Sequence, residues 1–362
     1  MRMRFSSSLF VGIIFAAVVA APAIARAETP PNVWDIAVDP QVRDRWTLHS
    51  RVLALLFPAR EGFGPREKRR RELEQDLARG VLEAAHAASS PDVRLQFDLG
   101  RLYETRQRHA SAVSVLKGAL AAEPNHPLAT HAHVLLSSAY AHLGATERER
   151  EEHETVVKTT TDVDERATSY LNLGESDMRL GELDRAVGSY NLAIAESSKS
   201  PFAAITVPLA EWGLAVAHDR RGDRASAYLN AQLAFASDPA AVRVGGLDDG
   251  VYYVPAYERY WYLALAATVY ATEGFDFEPG RIERQMSAMG HQPETIVPLT
   301  GKTIGEGNLP KGAVRWGRVE YFWQHYIDGA ADDHSRETWI ERAREHLAEA
   351  RREKLRVAAS SK

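Results

Sequence analysis

Hydrophobic positions along this chain recur in steps of three and four, and runs of strict alternation are scarce. Leu73, Leu77, Val81, Leu82 and Ala85 fall on one face of a helix turning every 3.6 residues. The same period covers most of the chain and predicts an all-α fold. Helices are expected at 41–57, anchored by Trp46, Val52, Leu55, Leu56 and Phe57, and at 66–88, 256–273 and about 336–355.

The helices repeat. In 93–126, Leu99, Gly100, Tyr103, Ala112, Leu116, Ala119 and Pro124 occupy positions 7, 8, 11, 20, 24, 27 and 32 of a 34-residue unit. Leu173, Gly174, Gly181, Ala186, Tyr190 and Ala193 occupy positions 7, 8, 15, 20, 24 and 27 of 167–200. Leu214, Ala215, Gly222, Ala227, Ala234 and Pro239 continue the series in 208–241. Small residues at 8, 20 and 27 let two antiparallel helices cross closely, with Gly100 set against Ala112 and Ala119, and larger residues at 11 and 24 fill the space toward the next pair. Glycine at 15 suits the tight turn between the helices.

A fourth unit, 130–163, matches only in its first helix, through Leu136, Ser137, Tyr140 and Gly144. Its second helix would put Glu149 at position 20 and His153 at position 24, inside the charged run Thr146–Glu154. An unpaired carboxylate does not fit a tight crossing. The expectation is that the register slips there or that the helix is mostly exposed.

This pattern resembles the tetratricopeptide repeat. The resemblance implies a right-handed superhelical solenoid whose inner groove is lined by first helices and binds a protein or peptide. By that resemblance positions 2, 5, 9, 12 and 13 face the groove. They are Arg94, Phe97, Arg101, Glu104 and Thr105 in the first unit, and His131, Ser138 and His142 in the second. Thr168, Glu175 and Arg179 follow in the third unit, with Asn172 taken beside them from position 6, and Trp212, Asp219 and Arg220 in the fourth. Phe97, Trp212 and the arginines are typical interface anchors. The set lacks the Lys/Asn clamp with which chaperone-binding members hold a terminal carboxylate.

The N-terminus alters the picture. Arg2 and Arg4 precede a thirteen-residue apolar run, Leu9–Ala21, and Ala25-Arg26-Ala27 offers a cleavage site. This is the pattern of a secretory signal peptide over 1–27, cut between Ala27 and Glu28, and the run is short for a membrane span. A periplasmic or secreted protein is expected, with no integral membrane span after cleavage and a partner in the cell envelope. The remaining organisation reads as N-terminal helices over 28–92, a cap or degenerate repeat, the repeat solenoid over 93–250, and an aromatic-rich helical part over 251–362. That last part carries a Gly/Pro-rich insertion at 275–311, with room for a short helix near Arg281–Met289.

Composition removes several chemistries. The chain has no cysteine, which excludes disulfide staples, thiolate metal sites and a cysteine nucleophile. Without Arg2, Arg4 and Arg26, the 44 basic residues become 41 against 49 acidic ones, a formal −8 for the mature chain. That excess argues against a nucleic-acid partner.

No catalytic pattern emerges. Thr300-Gly301-Lys302-Thr303 resembles the end of a phosphate loop, but Ile296 stands where that loop needs glycine. No H-E-x-x-H or G-x-S-x-G is present. His126, His131 and His133 read as solvated side chains, and Asp332, Asp333 and His334 as a charged loop before a helix. The expectation is a scaffold without catalysis, cofactor or metal. The alternative is a glycan- or small-ligand-binding protein that uses the C-terminal aromatics. Tyr252, Tyr253, Tyr257, Tyr260, Trp261, Tyr262, Tyr270, Trp316, Tyr321, Phe322, Trp323, Tyr326 and Trp339 supply them, though core packing is the favoured role for these rings.

Overall fold

A computed structural model describes residues 65–200, 203–237, 255–273 and 311–360. The signal segment, the helix expected at 41–57, Tyr252, Tyr253 and the insertion as far as 310 lie outside the described residues. So do the short helix near Arg281–Met289 and the segment Thr300–Thr303.

The described residues form helices with no strand among them. They are α1 (Pro65–Ala84), α2 (Val93–Thr105), α3 (His109–Ala122), α4 (Ala129–His142), α5 (Thr146–Thr159) and α6 (Val163–Arg179). The series continues with α7 (Leu183–Ser197), α8 (Ala203–Arg220), α9 (Arg224–Ser237), α10 (Arg259–Glu273), α11 (Lys311–Ala330) and α12 (Glu337–Ser360). Asp92 and Asp162 cap α2 and α6 by accepting backbone N–H bonds, which satisfies donors that each first turn leaves open. None of the helices among the described residues is long and apolar enough to cross a membrane.

Consecutive helices pack as pairs: α2 with α3, α4 with α5, α6 with α7, and α8 with α9. Each pair turns in the same way. Gly144, Gly181 and Gly222 take positive φ at position 15, and in the first pair Gln107 takes φ 56° at that position. The residue after each donates its N–H five residues back, from Arg108 to Tyr103, Ala145 to Tyr140, Glu182 to Asp177 and Asp223 to His218, at 2.8–2.9 Å. These are four copies of one Schellman turn. The repeat is therefore present in the backbone as well as in the side-chain pattern.

The crossings follow the small residues, with one adjustment. A Cβ on Gly100 would meet Leu116 at 2.5 Å, so Gly100 admits the position-24 side chain, not the alanines at 20 and 27. Gly174 does the same for Tyr190 at 2.5 Å, and Gly213 on α8 crowds the same ring from the next pair. In α1 the buried face is Ala78, Val81 and Leu82, while Leu73 and Leu77 are exposed. The expected stripe is thus correct only in its C-terminal half, where α1 meets α2.

First helices also pack on one another at α2–α4, α6–α8 and α8–α10, whereas α4 and α6 are not such a pair. One apolar cluster runs from Val93 to Tyr140 and a larger one from Leu171 to Ala350, crossing residue 250 without a break. Between them lies a polar interface. Neither expectation for α5 holds: the register does not slip, and Glu149, His153 and Val156 are all buried at positions 20, 24 and 27. Partners from α6 make this tolerable, as described next.

Candidate polar site on the first-helix face

At the α4–α6 gap the side chains of Val134, Ser137, Ser138, Glu149, His153, Asn172, Glu175 and Arg179 line a cavity of about 120 Å³. Ser138, Glu175 and Arg179 hold groove positions of the repeat register, and Asn172 stands next to one, at position 6. The floor comes from α5, a second helix, which the register does not nominate. Glu149 is 2% exposed, and its carboxylate accepts from Ser176 Oγ at 2.9 Å and from the Arg179 guanidinium. Burial pushes its pKa above the ordinary carboxylate range, against the pull of Arg179 and Ser176. His153 is 3% exposed, and burial, reinforced by the charge of Arg179, holds it down to about 3. It is therefore neutral at physiological pH. Glu149 Oε2 and His153 Nδ1 have no hydrogen-bond partner, although both residues line the cavity.

Glu175 is buried behind the opening and accepts from Tyr190 and from Tyr262, the latter at 2.9 Å. It ties the third pair to α10. The cavity wall therefore carries a carboxylate anchored by two phenols, an Arg–Glu pair and a neutral imidazole, which together offer both donors and acceptors.

A second cluster adjoins this one. Glu104 ends α2, His109 begins α3 and His142 ends α4. His109 Nδ1 lies 2.7 Å from Glu104 Oε2, and the His109 and His142 rings stack at 4.2 Å. Ser138 Oγ donates to Glu104 Oε1 at 2.6 Å, which joins the cluster to the cavity wall. The structure thus brings together Glu104, Ser138, His142, Asn172, Glu175 and Arg179. Arg94 and Arg101 are half-buried on α2, and His131 and Thr168 are exposed on α4 and α6.

Other groove assignments need correction. Phe97 is buried in the core beside the His126 ring, and Trp212 is completely buried. Both hold position 5, which here points into the contact between successive pairs. Asp219 and Arg220 are buried beneath the C-terminal helices. Asp219 accepts from Trp261 Nε1 at 3.1 Å, Arg342 at 3.2 Å and His346 at 2.9 Å. Arg220 pairs with Glu258 and lies over the Trp261 ring at 4.6 Å. Helices α10 and α12 cover the face that the fourth unit would present to a ligand.

The aromatic C-terminal part is chiefly core: Trp261, Tyr262, Phe322, Trp323 and Tyr326 are buried in the larger cluster. Part of that surface remains open. Tyr228, Trp316, Trp323 and His346 contribute to a cavity of about 240 Å³ among α9 to α12.

No protein-family model matches the chain, and no curated protein matches it by sequence at a significant level. Among solved structures, a tetratricopeptide repeat protein from Parabacteroides merdae ATCC 43184 is similar, with TM-score 0.44 and 12% identity over 82% of this chain and 98% of that one. By their own turns, crossings and register, the described residues form an all-α stack of tetratricopeptide-like helix pairs, extended by helical C-terminal elements.

Proposed function

We propose that the chain is an exported scaffold that holds a protein or peptide partner in the cell envelope, without catalysis, along the face built by α2, α4 and α6. The observation that carries this reading is the cavity between α4 and α6. Three groove-register residues, Ser138, Glu175 and Arg179, converge there with Asn172 around polar atoms that no neighbour satisfies. A buried donor or acceptor without a partner costs roughly 1–3 kcal/mol, and an incoming polar side chain that pairs with it recovers that cost. Arg101 on α2 and His131 on α4, close enough for the charge of Arg101 to act on the imidazole, extend the contact surface along the same face. Export rests on the signal-like pattern of 1–27.

The test is capture from an envelope fraction with wild type, Arg101→Glu and Asn172→Trp, the last filling the cavity from its rim. Loss of the same partners from both variants, with helical content preserved, supports the reading. Equal capture by all three overturns it.

A second reading places a glycan or other small ligand in the cavity beside Trp316 and Trp323, since these rings give flat area at low entropic cost. Titration with cell-wall fragments followed by tryptophan fluorescence separates the two, and an unchanged spectrum counts against the ligand.

A further inference from the structure

We infer that Glu104, His109 and His142 form a binding site for a divalent transition-metal ion, zinc in the first instance, at the junction of the first two helix pairs. One ligand atom from each residue lies within 4.8 Å of the other two. Two imidazoles and a carboxylate are the donor set that borderline cations such as zinc select, and three protein donors leave a fourth position for water or for an acidic or imidazole group of a partner.

Glu104 and His109 are a local pair across one turn, and His142 joins them from the end of α4 only through tertiary packing. Glu104 and His109 flank the Schellman turn at Gln107, and His142 lies two residues before the equivalent turn glycine, Gly144. Both turns fix the backbone that presents the ligands. The carboxylate is oriented from behind, because Ser138 Oγ donates to Glu104 Oε1 while Glu104 Oε2 faces His109. Hydrogen bonding of a ligand from its far side is the usual support of a metal centre. Access and desolvation are balanced: the side chains of His109 and Glu104 are 14% and 10% exposed, while His142 is open to solvent. The stacked imidazoles lie 13° from parallel, so binding one ion requires the two rings to tilt until their in-plane lone pairs meet, and the exposed His142 is the ring free to do so.

A bound ion would clamp α2 and α3 to α4. Because binding to the folded state adds RT ln(1 + [L]/Kd) to stability, the clamp raises the melting temperature in step with metal concentration.

The test uses the untagged full chain and zinc chloride alone, followed by calorimetry and thermal melting. The variants are His142→Gln, Ser138→Ala and His131→Gln. His142 is exposed, so its replacement is expected to leave the circular dichroism spectrum unchanged. The expected result is one tight equivalent for wild type and for His131→Gln. Affinity should fall at least about tenfold in His142→Gln and by about tenfold in Ser138→Ala. Zinc-edge X-ray absorption of the wild-type complex should show imidazole scattering. Absence of tight binding to wild type, retention of full affinity in His142→Gln, or equal loss in His131→Gln overturns the assignment.

Discussion

The guanidinium of Arg179 on α6 donates to the carboxylate of Glu149 on α5, and both side chains are withdrawn from solvent. This pair explains how a charged second helix keeps the repeat register. In the other units position 20 is Ala112, Ala186 or Ala227, each a buried methyl group. Here the crossing closes on an ion pair with Ser176 as a second donor. Removing one partner leaves a buried charge, which typically costs 3–5 kcal/mol, whereas removing both is often close to neutral.

Arg179→Met is therefore expected to lose about 3–5 kcal/mol in urea denaturation. Glu149→Ala combined with Arg179→Met should recover most of that loss. A double variant as unstable as the single one would show that the pair is not what sustains the interface.

His153 sets an acid limit on the same interface. Burial, and then Arg179, hold it at about 3 in the fold, against an ordinary value of 6.5. The unfolded chain binds the proton more readily, so stability is complete above 6.5 and declines as pH falls toward 3. The ceiling on that decline is about 5 kcal/mol at 1.36 kcal/mol per pH unit. Urea melts between pH 4 and 7 should show a steeper acid loss in wild type than in His153→Leu. Parallel curves would exclude a neutral buried imidazole.

Asp177 acts in the opposite direction. Burial is the first cause of its rise from 3.8 to about 6, with Arg185 and Arg150 opposing it. The fold binds this proton more tightly than the unfolded chain. Its contribution is therefore present below 3.8 and is lost as pH rises through 6. Asp177→Asn should be more stable than wild type at pH 7, by up to about 3 kcal/mol, with the gain vanishing near pH 4. A gain independent of pH would rule out the carboxyl as its source.

The ring of Tyr190 is held between Gly174 and Gly213. Gly174→Ala places a methyl group 2.5 Å from ring carbon Cε1 and should cost about 1–3 kcal/mol. Gly188, on the same helix as Tyr190, has nothing within 4 Å of an added Cβ. Gly188→Ala should instead gain about 0.5–1 kcal/mol from helix propensity. Thermal melts with the same sign for both would contradict the close approach.

At position 15, Gln107 holds a left-handed conformation that glycine holds in the other three pairs. Gln107→Gly is expected to raise stability by up to about 1 kcal/mol, and Gly181→Ala to lower it by about 1 kcal/mol. A destabilised Gln107→Gly would mean that its side chain contributes more than its backbone costs.

Spacing alone determined the helix pairs of this protein. Gly144, Gly181 and Gly222 at one position, and small residues at 8 and 20, specify a local turn and a local crossing, and both depend on residues near in sequence. The misfit at Glu149 and His153 was equally legible, since neither residue type suits a tight crossing without help. What helps them was not legible: Ser176 and Arg179 lie about thirty residues onward and reach α5 only once α6 has packed. Likewise Asp219 and Arg220 have groove spacing, but α10 and α12 return from about forty residues onward or more to bury them. Tertiary packing alone also brought His142 to the local pair Glu104 and His109. Periodicity fixes which face of a helix a residue occupies, and only the packed chain decides whether that face meets solvent, another helix or a ligand.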